Sequence, residues 1–418
     1  MMKKQLIGPF TQLIALQSLP LRGAIQDDQA KPIRQGGLVV EHARIVDIGE
    51  YDQLRQRYGS DVEHVTIQNP SVCLPGYIDC HTHIAFAGSR ANDYALRNAG
   101  ASYLEIAEAG GGIWSTVRHT RDATVEELAA LTVQRAKQLI QQGVTTLEIK
   151  SGYGLSLEEE IKILRAIRLS AQQLPIDIIP TCLAAHMKPS DFSGSASAYL
   201  QAIADKLFPV LRDENLSDRI DIFVERSAFS IEEAEPYLSL AKERGFDIVV
   251  HADQFTPGAS ELAVRLGAVS ADHLEASTEA AIRLLGQADT VSVVLPGASM
   301  GLGCGYAPAR RLLDAGACVA IATDWNPGSA PMGQLMTQAS VLAAAEKLTT
   351  AELLAGITFR AAKALSLTDR GMLEVGKLAD FNIYPTDNYQ DIAYLQGTLK
   401  PQQVWKNGRL IFEQGGQS

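Results

Sequence analysis

The histidines of this 418-residue chain are the side chains whose types and spacing can do the most chemistry. His81 and His83 are separated by one residue and follow the apolar run LPGYIDC. On a β-strand, residues i and i+2 point to the same face, so both imidazoles can turn toward one centre. Imidazole nitrogens are common ligands of zinc and iron, so this spacing favours a metal site. A pair of ordinary surface histidines is the alternative for this motif alone.

Two further candidate ligands lie at the ends of later apolar runs. His251 ends FDIVVH and Asp324 ends CVAIATD. Three imidazoles and one carboxylate form a ligand set that suits Zn²⁺ or iron. Such an ion lowers the pKa of bound water and makes it a nucleophile near neutral pH. Asp324 beside that water can accept its proton and pass it to a leaving nitrogen, whereas a helix cap is the structural alternative for this residue.

Eight short apolar runs are the elements that must position these side chains. Longer stretches of helical period separate the runs, and one of them starts with Ser230 and Glu233 as a capping box and stops at Gly245. Strands that alternate with helices in this way predict an α/β fold, a (β/α)₈ barrel of the TIM type. The runs cover residues 71–83, 144–152, 176–186, 220–225, 246–253, 268–274, 290–297 and 318–324.

Five of the eight histidines fall at the ends of these predicted strands. Barrel enzymes place their catalytic groups there, because the loops that follow the strands form the mouth of the barrel. His186 and His273 therefore join the candidate ligands at the same mouth. A buried histidine with satisfied hydrogen bonds is the alternative for both residues.

The two flanks of the chain have a different character. Residues 1–70 and 367–418 contain short β-like pieces such as GGLVVEHARIVDIG and QQVWKNGRLIF, with little helix. Neither flank is long enough to bury a generous core alone. We therefore predict one small β-sandwich domain composed of both termini, beside a barrel domain of residues 71–366.

Composition limits the kinds of partner. The chain has 37 basic and 48 acidic residues, and its formal charge of −11 disfavours binding to nucleic acid or to an anionic membrane. The N-terminal apolar run is interrupted by polar residues and is not expected to be a signal peptide. The five cysteines are odd in number and never arranged as CxxC, which favours reduced thiols and a cytoplasmic location. A homodimer is the default expectation for the assembly.

The order of these motifs resembles the amidohydrolase superfamily, with HxH after the first strand, His at the fifth and sixth, and Asp at the eighth. Longer stretches, among them EIKSGYGLSLEEEIKILR, TCLAAHMKP, HADQF and ATDWNPGSAP, resemble the imidazolonepropionase family. The resemblance implies hydrolysis of the small anionic cyclic amide 4-imidazolone-5-propanoate to N-formimidoyl-L-glutamate in histidine degradation. It implies one divalent or trivalent metal ion per subunit, zinc or iron, with ligands His81, His83, His251 and Asp324.

The same resemblance implies residues that contact the substrate. Arg90 can grip a carboxylate with two parallel hydrogen bonds, or form only a surface ion pair. Tyr153, between two glycines, can present its phenol to a ligand or simply cover the barrel rim. His186 and His273 can donate hydrogen bonds to the ring oxygen or the developing oxyanion, and act with Asp324 as the catalytic set. The implied substrate contacts are Arg90, Tyr153, His186, Gln254, Asn326, Gly328 and Ser329.

Three positions bear on how far the resemblance reaches. The predicted fourth strand ends at Glu225 and carries no lysine that could bridge two metal ions, which favours a mononuclear site. Some family members have Glu where this chain has Gln254, and an amide cannot shuttle a proton, so His273 or Asp324 would take that task. The segment 296–311 lacks aromatic residues that the family commonly has there, so the resemblance supports the reaction type more firmly than the substrate.

Two other classes of function remain open from the sequence. One is an enzyme of the same mechanism that acts on another cyclic amide or amidine, including a deaminase; Arg90 argues against a neutral substrate. The other is a barrel that has lost catalysis and serves as a structural or regulatory protein, which the retention of all four candidate ligands disfavours.

Overall fold

A computed structural model describes residues 4–68, 70–101, 105 and 110–415 of the protein. Within these residues the strands form two separate eight-stranded sheets, one built from the flanks and one from the centre of the chain. The strands are β1 (Gln5–Leu13), β2 (Ile33–Glu41), β3 (Arg44–Glu50), β4 (Glu63–Thr66), β5 (Val72–Pro75), β6 (Tyr77–Asp79), β7 (Val144–Lys150), β8 (Asp177–Ala185), β9 (Arg219–Phe223), β10 (Asp247–Ala252), β11 (Ser270–His273), β12 (Val291–Val294), β13 (Val319–Ile321), β14 (Phe381–Tyr384), β15 (Gln403–Lys406) and β16 (Arg409–Glu413).

The central sheet is the predicted barrel. Strands β6 to β13 pair in chain order, and every pair is parallel. The first and last strands meet just beyond their ends, where Thr82 and Trp325 form a parallel bridge and the Asp324 amide donates to the His81 carbonyl at 3.0 Å. Parallel strands covered on both faces read as continuous apolar runs, which explains why the sequence pattern found them. The (β/α)₈ prediction is confirmed.

Helices cover the outside of the barrel between successive strands. The predicted capping box is present: the Glu233 amide donates to Ser230 Oγ at 3.3 Å and the Ser230 amide donates to Glu233 Oε2 at 2.9 Å. Gly245, just past the end of that helix, has φ +81°, a value that glycine adopts without strain. The helices span Tyr51–Tyr58, Ala91–Asn98, Ile113–Asp122, Val125–Ile140, Leu157–Ala171, Ala196–Asp213, Ile231–Glu243, Ala259–Leu266, Glu279–Leu285, Pro296–Leu302, Ala309–Asp314, Leu335–Glu346, Thr350–Gly356, Phe359–Ala364 and Gln390–Tyr394.

Both flanks of the chain contribute to the second sheet, as predicted. Its strands run in the order β16, β15, β14, β5, β1, β2, β3, and β4 pairs with the N-terminal part of β1. Buried side chains from both ends of this order, including Phe10, Leu38 and Phe381, share one core, so the sheet folds over on itself. The Ile45 amide also donates to the Lys377 carbonyl at 2.9 Å, which joins the N-terminal and C-terminal segments.

The predicted first barrel strand is divided between the two sheets. Residues 72–75 form β5 in the flank sheet and residues 77–79 form β6 in the barrel, with Gly76 between them. A Cβ at Gly76 would lie 2.3 Å from Thr145 Oγ1, so only glycine lets the chain pass this close to the next strand. The domain bounds 1–70, 71–366 and 367–418 stay a prediction.

Two other features of the fold bear on the composition argument. Among the described residues, no helix is both long enough and apolar enough to cross a bilayer. All five cysteines are free; four are buried and Cys304 is exposed. Burial raises the pKa of the thiols of Cys73 and Cys182, which makes them unreactive core residues.

Candidate active site

The four predicted ligands converge at the C-terminal end of the barrel. His83 Nε2 lies 3.2 Å from His81 Nε2 and 3.3 Å from His251 Nε2. Asp324 Oδ1 lies 3.5 Å from His81 Nε2 and 3.4 Å from His83 Nε2. All four side chains are almost fully buried, so these atoms face one another and not solvent. The three imidazoles form a cluster with the geometry of a metal site.

These separations fit a single small cation. Donor atoms that bind the same zinc ion lie about 3 to 3.5 Å from one another, which matches the distances given above for the four side chains. Neutral imidazoles that turn their Nε2 lone pairs toward one another repel unless a cation lies between them. The donor set and its spacing therefore fit the metal ion that the sequence predicts.

Burial keeps the ligand histidines neutral, which is the form that binds metals. Desolvation by burial lowers the pKa of His81 and His83 well below the usual range and lowers the pKa of His251 to about 3. Burial raises the pKa of Asp324, and the neighbouring His273 and His251 oppose this effect. Asp324 also has φ +51°, an uncommon backbone conformation that turns its side chain from the end of β13 toward the histidines.

Carboxylates behind the ligands orient two of the imidazoles. Asp272 Oδ2 lies 2.6 Å from His81 Nδ1, and Asp221 Oδ2 lies 3.0 Å from His251 Nδ1. Because a carboxylate accepts the Nδ1 proton, both rings present Nε2 to the common centre. Neither aspartate was among the residues predicted from the sequence. Asp221 had a signal there, since it is a charge inside the otherwise apolar run IDIF, whereas Asp272 stands among polar neighbours in SADH.

A cavity of about 460 Å³ opens above the ligands. Every predicted site residue except the fully buried His81 lines this cavity. The cavity is also lined by residues that were not predicted, because nothing in their sequence neighbourhood distinguishes them from other residues of helices, strands and loops. The predicted lining residues are His83, Arg90, Tyr153, His186, His251, Gln254, His273, Asp324, Asn326, Gly328 and Ser329, and the missed ones include Arg97, Ile113, Met187, Phe223, Phe255 and Leu302.

Arg90 is held in place at the wall of this cavity. Its Nε donates to Asp93 Oδ2 at 2.7 Å, so the surface ion pair that the sequence left open is present in part. Its Nη1 lies against the backbone of Gly328, where an added Cβ would be only 2.6 Å away. Gly328 therefore makes room for the guanidinium. Because the ion pair with Asp93 uses Nε, the edge of the guanidinium that faces the cavity can still bind a carboxylate.

His186 and His273 present different hydrogen-bonding groups to the cavity. His186 Nδ1 lies 3.0 Å from the Gly152 carbonyl, which can only accept, so the ring carries its proton there. Burial lowers the pKa of His186, and the neutral ring offers Nε2 as an acceptor. Because the one proton of the neutral ring is used at Nδ1, we favour an acceptor role over the donor role that the resemblance implied, and the role of His186 stays a prediction. Burial lowers the pKa of His273, whereas the nearby carboxylate of Glu275 raises it. The net pKa is raised, and Glu275 Oε2 lies 3.6 Å from His273 Nδ1. This ring therefore suits the donor role.

The loop after β13 is organised by Asn326. The Asn326 Oδ1 atom accepts from the amides of Gly328 and Ser329, both at 2.8 Å. Its Nδ2 donates to the Asp324 carbonyl at 2.7 Å. These bonds form a turn of the kind that Asn, Pro and Gly favour in loops. In this geometry Asn326 borders the cavity and shapes the loop that follows Asp324.

Glu225, Gln254 and the segment 296–311 are the positions that the sequence related to the number of metal ions and to the substrate. The Glu225 carboxylate accepts from the amides of Phe255 and Thr256, both at 3.0 Å, and so it is directed to a neighbouring loop and not to the ligand cluster. Gln254 lines the cavity, and the segment 296–311 contributes Leu302 to it. The buried lysine nearest to the ligands is Lys150, at the end of the second barrel strand, and it pairs with Asp221.

Comparisons with known proteins agree with this geometry. The sequence matches the amidohydrolase family over residues 110–412. Imidazolonepropionase from Symbiobacterium thermophilum is 40% identical to this chain over 410 residues, which cover 97% of this chain and 96% of that protein. Imidazolonepropionase from Myxococcus xanthus is 44% identical over 343 residues, which cover 81% of each protein. The structure of an adenosine deaminase from Xanthomonas campestris with bound zinc has the same fold, with a TM-score of 0.70 and 20% identity over 99% of this chain and 93% of that one. The chain therefore belongs to the amidohydrolases and, within them, to the imidazolonepropionase family.

Proposed function

We propose that the protein hydrolyses 4-imidazolone-5-propanoate to N-formimidoyl-L-glutamate, a step of histidine degradation, with one zinc or iron ion per subunit. The observation that carries the proposal is the convergence of three neutral imidazoles and one carboxylate at the floor of a cavity that has Arg90 on its wall. The names of the relatives support the same substrate. The buried, unpaired thiols support a cytoplasmic location, and a homodimer is the assembly that we expect.

Different residues of the cavity are proposed to perform different steps of the hydrolysis. His81, His83, His251 and Asp324 would hold the metal ion, which when bound would supply the Lewis acidity that activates water and the ring carbonyl. Asp324 accepts the proton of the attacking water and then delivers it to the ring nitrogen as the carbon–nitrogen bond breaks. His273 donates a hydrogen bond to the oxygen that becomes negative. His186 accepts a hydrogen bond from a ring N–H and so holds the ring in register with Asp324.

Arg90 is proposed to recognise the propionate group. Replacing Arg90 by Met is expected to lower kcat/KM by about a hundredfold, mostly through KM, because the carboxylate loses its charge-assisted hydrogen bonds. Steady-state kinetics on the parent and the variant measure this effect. An analogue whose side chain is neutral serves as the control, since its kcat/KM should change little on the same substitution. Equal losses on both substrates would assign Arg90 to folding of the loop and not to the carboxylate.

The direct test of the proposal is turnover by the metal-loaded protein. Incubation with 4-imidazolone-5-propanoate should consume one water and release the formimidoyl product, while unrelated neutral cyclic amides and amidines should react far more slowly. Turnover of a neutral amidine in preference to the imidazolone would support the deaminase alternative. Purified protein that folds but binds neither zinc nor iron would support the non-catalytic alternative.

A further inference from the structure

One layer of the barrel interior, directly beneath the candidate ligands, is built from charged residues. The alternate strands β7, β9 and β11 each send one charged side chain into it: Lys150, Asp221 and Asp272, all at most 1% exposed. Glu148, also on β7, is fully buried beside Lys150. Layers of this kind are filled by large apolar side chains in most TIM barrels, because burying charge costs desolvation energy. We call these four residues the ionic layer.

Lys150 makes contact with all three carboxylates of the ionic layer. Its Nζ lies 2.8 Å from Glu148 Oε1, 2.8 Å from Asp221 Oδ2 and 3.9 Å from Asp272 Oδ2. Burial alone lowers the pKa of Lys150, but Asp221 and Glu148 outweigh this and raise it, so the lysine is a cation. One ammonium therefore bridges acids from three different strands.

Each of these carboxylates holds a different part of the ligand cluster. Asp272 and Asp221 accept from Nδ1 of His81 and His251, as described above. Glu148 Oε2 accepts from the amide of Thr82, the residue between the two histidines of the HxH segment, at 3.0 Å. The Lys150 amide also donates to the Thr82 carbonyl at 2.9 Å. Lys150 is thus connected to all three histidines. It reaches His81 and His251 through the side chains of Asp272 and Asp221, and the HxH segment through the backbone of Thr82.

We infer that Lys150 is the positioning residue of the metal site and that it sets the affinity for the ion. Without the ammonium, three buried carboxylates face one another and relieve their repulsion by moving apart. This movement loosens the hold on His81 and His251 and disturbs the direction of their Nε2 lone pairs. The inference concerns metal binding and does not depend on which cyclic amide is the substrate.

The test compares two buried lysines that have the same chemistry. Lys406, 3% exposed, also bridges two carboxylates, with Asp177 at 2.6 Å and Asp380 at 2.7 Å, but it joins the flank sheet to the N-terminal side of the barrel. Zinc affinity of the metal-depleted full chain is measured by competition with a chromogenic chelator. Lys150→Met should bind zinc about 10- to 100-fold more weakly than the parent, and Lys406→Met should bind it equally well. Equal affinities in the parent and Lys150→Met, or equal losses in the two variants, would overturn the inference.

Variants of similar shape keep the inference testable if Lys150→Met does not fold. Asp221→Asn and Asp272→Asn retain the size of each side chain but remove the charge that Lys150 pairs with. Both should weaken zinc binding by about tenfold and should change the visible absorption spectrum of the cobalt-loaded protein, which reports ligand geometry. Unchanged affinity and an unchanged cobalt spectrum in both variants would show that the ionic layer has only a structural role.

Discussion

Asp324→Asn is expected to lower kcat by about a thousandfold or more while the protein remains folded. The carboxylate lies within 3.5 Å of two candidate ligand imidazoles and faces the cavity, and we therefore expect it both to ligate the ion and to move a proton. An amide of the same shape can still contact a metal ion but cannot accept the proton of water. Steady-state turnover of the imidazolone, together with the zinc content and the unfolding temperature, measures the effect.

A matched substitution in the flank domain separates this role from a general effect of losing a carboxylate. Asp391 accepts a hydrogen bond from Thr386 Oγ1 at 2.6 Å, away from the barrel mouth, and Asp391→Asn should leave kcat unchanged. If Asp324→Asn keeps kcat within tenfold of the parent at equal metal content, Asp324 is not the base. The proton would then have to be accepted by another group that faces the cavity.

Removal of the metal ion is expected to have an effect of similar size on turnover. Dialysis against a strong chelator should lower the rate by about a thousandfold or more, because the water then lacks the ion that lowers its pKa. One equivalent of zinc or ferrous iron per chain should restore the rate. The unfolding temperature should fall as well, since an ion that binds only the folded state stabilises it by mass action.

The stoichiometry of the restoration distinguishes one ion from two. The described ligand cluster has three histidines and one aspartate around a single centre, and Glu225 is turned to the neighbouring loop. Activity should therefore reach its maximum at one ion per chain. A second equivalent that raises the rate severalfold would contradict the mononuclear site, and full activity in protein shown to be metal-free would contradict the mechanism.

The candidate ligands could be predicted from the sequence because the strands of a barrel, and the positions at their ends, are recognisable in it. An apolar run marks the strand, and the polar residue at its end must lie at the barrel mouth, as His251 and Asp324 do. The division of the first run at Gly76 could not be predicted in this way. Strands of both sheets are apolar and short, so the pattern of residues 72–79 is the same whichever sheet each part joins.

The direction in which a polar side chain acts was decided by its neighbours in space. The sequence placed His186 at the mouth, but only the Gly152 carbonyl against its Nδ1 makes the ring an acceptor. Asn326, a predicted substrate contact, also lines the cavity, and its hydrogen bonds organise the loop after Asp324. The acceptor role of His186 depends on a contact between residues 34 positions apart in the chain, and no residue pattern records it.

Local periodicity and motifs of adjacent residues were enough to predict the type of fold, the candidate ligands and the family. The ionic layer, in contrast, could be recognised only once the strands were arranged in space. Lys150, Asp221 and Asp272 are separated by 71 and 51 positions in the chain and meet because alternate strands of a closed barrel point into the same interior layer. A charge in an apolar strand signals that something must compensate it, and the closed barrel determines which residues do so.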